Sequence, residues 1–133
     1  MKSLDRIRWI PLSPNIDARG ALVAVEAEST VPFPIRRVYY MFDLNDGRGG
    51  HAHRDTEQLL VALAGSCDVV LSDGEEQRRF RCDDPGKGLY IVPMVFIQVE
   101  NIAPGSVILV IASTHYDKSR SIRSWEAYLE EVG

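Results

Sequence analysis

The chain has 133 residues, a length typical of one domain. Its 15 Lys and Arg against 19 Asp and Glu give a net charge of −4, which argues against a nucleic-acid-binding protein, because such proteins usually carry a strongly basic face. No apolar run approaches the ~20 residues of a membrane span, and the N-terminal residues show no signal-peptide pattern. We therefore expect one cytoplasmic domain over residues 1–133, without a membrane segment.

The two cysteines, Cys67 and Cys82, are too few for a disulfide framework and lack the spacing of a metal site. We expect reduced thiols, in keeping with a reducing compartment. A small anionic ligand remains compatible with the charge, because a few arginines in a pocket can hold a phosphate whatever the net charge of the chain.

Most of the chain consists of short β-rich runs separated by turn residues. Predicted strands cover residues 21–27, 35–43, 58–64, 66–72, 77–81, 89–92, 96–101 and 106–112. The breaks at 45–47, 84–86 and 103–105 contain the Gly, Pro, Asn and Asp residues that favour turns. Within 66–72, Cys67, Val69 and Leu71 share one face, as in a half-buried strand.

The tail changes period after the last predicted strand. Apolar residues recur there at spacings of three and four, as in an amphipathic helix: Ile122, Trp125, Leu129 and Val132. We predict that Asp117 caps this helix and that His115 lies where the last strand ends and the helix starts. Many short strands followed by one terminal helix predict an all-β, antiparallel barrel or sandwich.

The most informative stretch contains His51 and His53. Two histidines at i and i+2 on a strand project from the same face. The alternative is a pair of surface histidines at a loop end. We interpret residues 47–50 as a loop rather than a dinucleotide fingerprint, which needs a strand before it and a helix after it. Gly49 and Gly50 would let the backbone approach a ligand closely.

Paired histidines on a cavity wall suit proton transfer, because an unperturbed histidine titrates near ~6.5. The His-x-His sequence also resembles the first cupin motif, in which a glutamate four residues later completes a metal site. Here Gln58 stands in the glutamate position, and Glu57 would face the opposite side of the strand. No histidine follows Pro93, where the second cupin motif has one. We therefore expect no metal and no other cofactor.

Three arginines are further candidates. Arg37 and Tyr39 share a strand face and could hold a phosphate or a sugar hydroxyl, although a surface pair is an equal alternative. Arg48 is a second candidate anion contact. Arg19, in the sequence Asp-Ala-Arg-Gly at 17–20, is a third, with a turn closed by a salt bridge as its alternative.

Together these motifs resemble the dTDP-4-oxo-6-deoxyglucose 3,4-ketoisomerases, which are small metal-independent cupins related in fold to dTDP-sugar epimerases. The matching segments run from about Ile10 to the C-terminus: 17–20, 35–40, 48–53, 58–60, 65–71, 88–91 and 112–117. The resemblance implies an RmlC-like cupin β-barrel, an antiparallel jelly roll with a short C-terminal helix. It also implies a homodimer with strand exchange between barrels, which would cover exposed strand edges.

The activity implied by the resemblance is a tautomerisation of a dTDP-linked 4-keto-6-deoxy sugar to its 3-keto form, as used in surface polysaccharide biosynthesis. His51 and His53 would be the acid/base pair. Five residues would position the sugar and the diphosphate: Arg37, Tyr39, Arg48, Gln58 and Arg19.

Two other functions remain open at this point. A non-catalytic nucleotide-sugar-binding barrel is favoured by Ile97, an aliphatic residue where family members usually have a polar or basic one. A metal-binding cupin is favoured by the histidine pair and opposed by Gln58.

Overall fold

The computed structural model describes residues 2–45 and 47–133. In these residues the strands are β1 (Arg8–Pro11), β2 (Asn15–Asp17), β3 (Gly20–Leu22), β4 (Arg37–Met41), β5 (Arg48–His53), β6 (Gln58–Ala64), β7 (Cys67–Ser72), β8 (Gln77–Cys82), β9 (Lys87–Ile91), β10 (Phe96–Glu100), β11 (Val107–Ala112) and β12 (Ser121–Ile122). Short 3-10 helices cover Ser3–Arg6 and Lys118–Arg120, and the helix α1 covers Trp125–Val132.

Two five-stranded antiparallel sheets form the body of the protein. Their strand orders are β1-β9-β6-β11-β4 and β12-β5-β10-β7-β8. Leu59, Val61 and Ile108 from the first sheet and Val69 and Leu71 from the second are almost fully buried in one shared core. Burial of this kind contributes about 1.5–3 kcal/mol for each large aliphatic side chain. The predicted all-β, antiparallel architecture with a short C-terminal helix is confirmed.

Seven of the eight predicted strands, those from residue 35 onward, lie within two residues of observed ones at each end. The predicted strand 21–27 is wrong, since only Gly20–Leu22 is extended and pairs with Asn15–Asp17 in a separate hairpin. The chain then turns, and the backbone N–H of Thr30 donates to Glu26. The strands Arg8–Pro11 and Ser121–Ile122 were not predicted, because each is too short to show a period.

The interpretation of residues 47–50 as a loop is also wrong from Arg48 onward, because these residues begin β5. Gly49 is opposite Gln98 and His51 is opposite Ile97, so Gly50 is the extra residue of a bulge, with φ of +74°. Gly49 has φ of +105°, and a Cβ there would lie 2.6 Å from the carbonyl oxygen of Ile97. Gly49 therefore allows the close approach of β10, rather than that of a ligand as its sequence position suggested.

The terminal helix begins later than predicted. Ser124 caps α1 by accepting a hydrogen bond from the N–H of Ala127. Asp117 instead caps the 3-10 helix, where its side chain accepts from the N–H of Ser119. His115 lies in the segment between β11 and this 3-10 helix, so its predicted place at the start of α1 is wrong. That segment leads into β12, which pairs with β5 and delays the helix.

Tyr128 fixes α1 to the body of the protein. Its side chain is fully buried, and its hydroxyl lies 2.8 Å from the carbonyl oxygen of Met94. The two cysteines are free, buried and opposite each other on β7 and β8. No helix among the described residues is long and apolar enough to cross a bilayer.

Candidate active site

Two cavities of about 430 Å³ each share the residues Tyr39, Arg48, His51 and Arg123 on their walls. We call the first the outer cavity, because segments between strands supply much of its wall, including Thr56, Thr114, His115, Tyr116 and Arg120. We call the second the inner cavity, because strand residues of both sheets line it, including Leu60, Ile91, Ile97, Val99 and Val110.

Strand alternation brings the predicted residues to these cavities. On β4, Arg37 and Tyr39 line the outer cavity, while Val38 and Tyr40 are exposed on the other face. On β5, His51 and His53 line the same wall. Gln58, the first residue of β6, is almost fully buried and lines the inner cavity. The surface-pair alternatives for the histidines and for Arg37 with Tyr39 do not describe this chain.

The two imidazole rings meet edge to face, with centroids 4.8 Å apart and planes at 83°. The Nδ1 atom of His53 lies 3.4 Å from the Ser121 hydroxyl oxygen, which the pairing of β12 with β5 places beside it. Its Nε2 atom is buried and has no hydrogen-bond partner among residues 2–45 and 47–133. A buried nitrogen without a partner carries an energetic cost that a ligand group reaching it would relieve.

The surroundings of both imidazoles favour their neutral forms. Burial lowers the pKa of His53 to about 4, and the nearby His51, Arg37 and Arg123 act in the same direction. Burial likewise lowers the pKa of His51, as do the positive charges of Arg123 and Arg37. At neutral pH each ring can therefore accept a proton, and it returns that proton readily.

Arg37 and Tyr39 form a stacked pair beside the histidines. The guanidinium carbon of Arg37 lies 4.8 Å from the centre of the Tyr39 ring and 5.3 Å from that of Tyr116. The Gln58 amide nitrogen donates to the Tyr39 hydroxyl at 3.4 Å. Burial raises the pKa of Tyr39, so this phenol stays protonated and can donate a hydrogen bond.

The glutamate one residue before Gln58 faces away from the cavities. Glu57 accepts a hydrogen bond from the Tyr90 hydroxyl, as expected for the opposite face of the strand. Among the described residues, no group of three or more His, Cys, Asp or Glu side chains comes together in a way that could hold a metal ion. The donor set around His51 and His53 thus does not fit a transition-metal site.

Known proteins share this architecture and sequence over nearly the whole chain. Residues 5–133 match the family model FdtA, described as WxcM-like, C-terminal. The chain belongs to the FdtA family.

A TDP-4-oxo-6-deoxy-alpha-D-glucose-3,4-oxoisomerase of Aneurinibacillus thermoaerophilus is 43% identical to this FdtA-family chain over 119 residues, which cover 88% of the chain and 86% of the relative. A 3,4-ketoisomerase structure from Helicobacter canadensis has a TM-score of 0.93 and 33% identity, covering 96% of this chain and 97% of its own. The resemblance inferred from the sequence is confirmed.

A second structure, the sugar 3,4-ketoisomerase QdtA of Thermoanaerobacterium thermosaccharolyticum in complex with TDP, has a TM-score of 0.93 and 34% identity. It covers 97% of this chain and 96% of its own. The rmlC epimerase of Mycobacterium tuberculosis is similar in fold alone, with a TM-score of 0.76 and 14% identity over 97% of this chain and 75% of its own. The RmlC-like fold class is thereby confirmed.

Arg19 is the one predicted site residue that does not line either cavity of this FdtA-family chain. Its guanidinium pairs with Asp17 at 2.6 Å in the exposed hairpin of β2 and β3. Within a single copy of the chain, this segment is a turn closed by a salt bridge, which is the alternative that the sequence analysis left open.

Several cavity residues were missed by the sequence interpretation, and most of them lie between β11 and α1. They are Thr56, Thr114, His115, Tyr116, Ser121 and Arg123. Thr56 and Thr114 join their hydroxyls at 2.7 Å across the outer cavity wall. The available signal was the polar sequence from Ser113 to Arg123, which is unusually long for a strand-to-helix connection.

Proposed function

We propose that this FdtA-family chain is a 3,4-ketoisomerase that converts the 4-keto form of a TDP-linked 6-deoxyhexose to the 3-keto form. The observation that carries the proposal is the edge-to-face His51–His53 pair on a cavity wall. The names of the relatives, a 3,4-oxoisomerase and two 3,4-ketoisomerases, supply the reaction class and the nucleotide.

The reaction needs two proton carriers, and the cavity holds two neutral imidazoles. One imidazole takes the proton from C3 while the N–H of the other ring donates a proton to the C4 carbonyl oxygen, and an enediol forms. The C3 hydroxyl then returns a proton to the second ring as the first ring, now an imidazolium, delivers its proton to C4, which leaves a ketone at C3 and a hydroxyl at C4. Each proton taken up is returned, so no redox partner is consumed, and general acid–base catalysis of this kind contributes ~10²–10⁴-fold.

The remaining predicted residues suit a nucleotide sugar. Arg37 and Arg48 are fitted to hold the diphosphate, because guanidinium groups bind phosphate oxygens through paired donors. Tyr39 and Gln58 present donors beside His51 and suit the hydroxyl and keto groups of the sugar. The apolar wall of the inner cavity, with Leu60, Ile91 and Val110, suits the methyl group of a 6-deoxy sugar.

The proposal is tested by incubating the purified protein with TDP-4-keto-6-deoxyglucose in deuterated buffer and following the sugar by NMR. We expect a 3-keto product with deuterium at the new C4 position, because solvent exchanges with the protonated imidazole. The configuration at C4 of the product gives the face of delivery. Absence of any 3-keto sugar would contradict the proposal.

A non-catalytic nucleotide-sugar-binding barrel is the second candidate, and Ile97 is the residue that favours it. Ile97 is buried, lines the inner cavity and stands opposite His51 in the strand register. An aliphatic side chain there offers no polar contact to a sugar. Binding of TDP without conversion in the NMR experiment would select this second function.

We also propose that the protein acts in the cytoplasm as a homodimer. The outer face of β4 exposes Val38 and Tyr40, and Tyr40 stacks on the exposed Phe42 with ring centroids 6.2 Å apart. The hairpin of β2 and β3 exposes Ile16 and Leu22 and belongs to neither large sheet. A two-stranded hairpin is marginal alone in water, so a second copy would stabilise it. Such an assembly is also the context in which Arg19 would bind substrate.

A further inference from the structure

The twelve arginines of the chain differ in whether a carboxylate compensates their charge. Six form ion pairs with carboxylates: Arg19, Arg54, Arg78, Arg79, Arg81 and Arg120. Arg37, Arg48 and Arg123 have no carboxylate at ion-pair distance among the residues that the structure describes, and all three line the cavities. Arg6, Arg8 and Arg36 also have no such partner among these residues and lie outside the cavities, so half of the unpaired arginines stand where a ligand would bind.

Arg123 lies between β12 and α1, in a segment to which the sequence analysis gave no functional role. In this it differs from Arg37 and Arg48. Its backbone is held on both sides, because the buried Ile122 pairs with Ala52 of β5 and Ser124 caps α1. Its side chain is exposed, and it lines both cavities together with Arg48 and His51. A fixed backbone and an accessible guanidinium beside both cavities suit anion binding, because a guanidinium matches phosphate oxygens with paired donors.

We propose that Arg123 binds the diphosphate of the nucleotide sugar where the two cavities meet and thereby positions the sugar against His51. The inference rests on the proposed function for the identity of the ligand. Arg123 is a binding and positioning residue, and it takes no part in the proton transfers.

The charge of Arg123 has a second effect, on the histidines. It is the largest nearby charge effect lowering the pKa of His51, after burial, and it also lowers that of His53. The titratable and charged groups around the two rings, taken from every neighbouring element, are Arg37 and Tyr39 of β4, Arg48 of β5, His115, Tyr116, Asp117 and Arg120 of the segment after β11, and Arg123. Loss of the Arg123 charge would therefore raise the pKa of both imidazoles.

The binding test uses Arg123→Gln, the charge-retaining Arg123→Lys, and Arg36→Gln as a matched control. Arg36 is exposed, has no ion-pair partner among the described residues and lines neither cavity, so its replacement removes the same charge elsewhere. We expect Arg123→Gln to weaken TDP binding by about tenfold or more in calorimetry, while thymidine, which lacks phosphates, binds unchanged. Arg123→Lys should retain part of the affinity, and Arg36→Gln all of it.

The kinetic test is the pH profile of kcat/KM. Because a neutral imidazole must accept the C3 proton, activity falls at low pH, and this acid limb should move to higher pH in Arg123→Gln but stay in place in Arg123→Lys. A purely structural role for Arg123 would not separate these two variants. Unchanged TDP affinity in Arg123→Gln, or an equal loss for TDP and thymidine, would overturn the inference, and an unmoved acid limb would overturn the charge effect of Arg123 on the histidines.

These outcomes are distinguishable from failure of the proposed function. If the wild-type protein isomerises the sugar and Arg123→Gln binds TDP normally, the inference alone is wrong. If the wild-type protein binds TDP through Arg123 but converts nothing, the inference stands and the isomerase proposal is wrong.

Discussion

At the scale of single residues, the role of His51 and His53 in turnover should be separable from ligand binding. We expect His51→Asn and His53→Asn each to lower turnover by about 10²-fold or more, because asparagine keeps a polar group of similar size but cannot accept a proton. Binding of TDP, measured by calorimetry on the same samples, should be retained. Near-native turnover in either variant would remove that histidine from the acid/base role.

The buried His53 also makes stability depend on pH. Its pKa is about 4 in the folded protein against a usual 6.5, so between these values the unfolded chain binds more protons than the folded one. The contribution of His53 to the free energy of unfolding therefore rises with pH across this window and is lost as pH falls from about 6.5 toward about 4. Urea unfolding at several pH values should show a shallower loss for His53→Asn than for the wild-type protein. Equal slopes would contradict the prediction.

Gln58 is the residue that opposes a metal-dependent reaction. Because its neutral amide stands where the cupin metal motif has a carboxylate, we expect dialysis against a chelator to leave turnover unchanged. Elemental analysis of the dialysed protein is the direct measurement. Stoichiometric metal that survives dialysis, together with loss of turnover after that metal is stripped with a stronger chelator, would contradict the expectation.

At the scale of elements, the contact between β5 and β10 depends on Gly49. A Cβ at Gly49 would lie 2.6 Å from the Ile97 carbonyl oxygen, whereas a Cβ at Gly50 would meet nothing within 4 Å. Both have positive φ, so Gly50→Ala should cost about 1–2 kcal/mol of unfolding free energy from backbone strain alone. Gly49→Ala should cost more and also lower turnover, since it displaces the strand that carries His51. Urea unfolding of the two variants compares them directly, and equal losses would mean that the clash relaxes.

At the scale of the whole molecule, the dimer proposal depends on the apolar face of β4. We expect Phe42→Glu to convert a dimer into a monomer in sedimentation experiments, because a carboxylate buried at an apolar interface is costly. Val132→Glu is the matched control, since it places the same charge on the partly exposed α1 and should leave the dimer intact. A wild-type protein that sediments as a monomer would contradict the proposal.

Much of this molecule could be predicted from its sequence, because alternation and turn residues act locally. The strand runs from residue 35 onward, the shared face of His51 and His53, and the opposite orientations of Glu57 and Gln58 all follow from the period of two along a strand. The same period placed Arg37 beside Tyr39. These features need no knowledge of which strands are neighbours.

Tertiary structure decided the rest, because it depends on residues distant in the chain. The β5 bulge at Gly50 arises in the pairing of β5 with β10, and the two-residue strand β12 forms by pairing with the free edge of β5. Arg123 enters the cavity wall because that pairing and the Ser124 cap hold the segment between them. The segment after Arg19 is the opposite case. Residues 21–27 were predicted as one long strand, but they have no neighbouring strand in either large sheet and form only the short hairpin strand Gly20–Leu22. Sequence by itself determined the fold class and the histidine pair, whereas chain pairing determined what surrounds that pair.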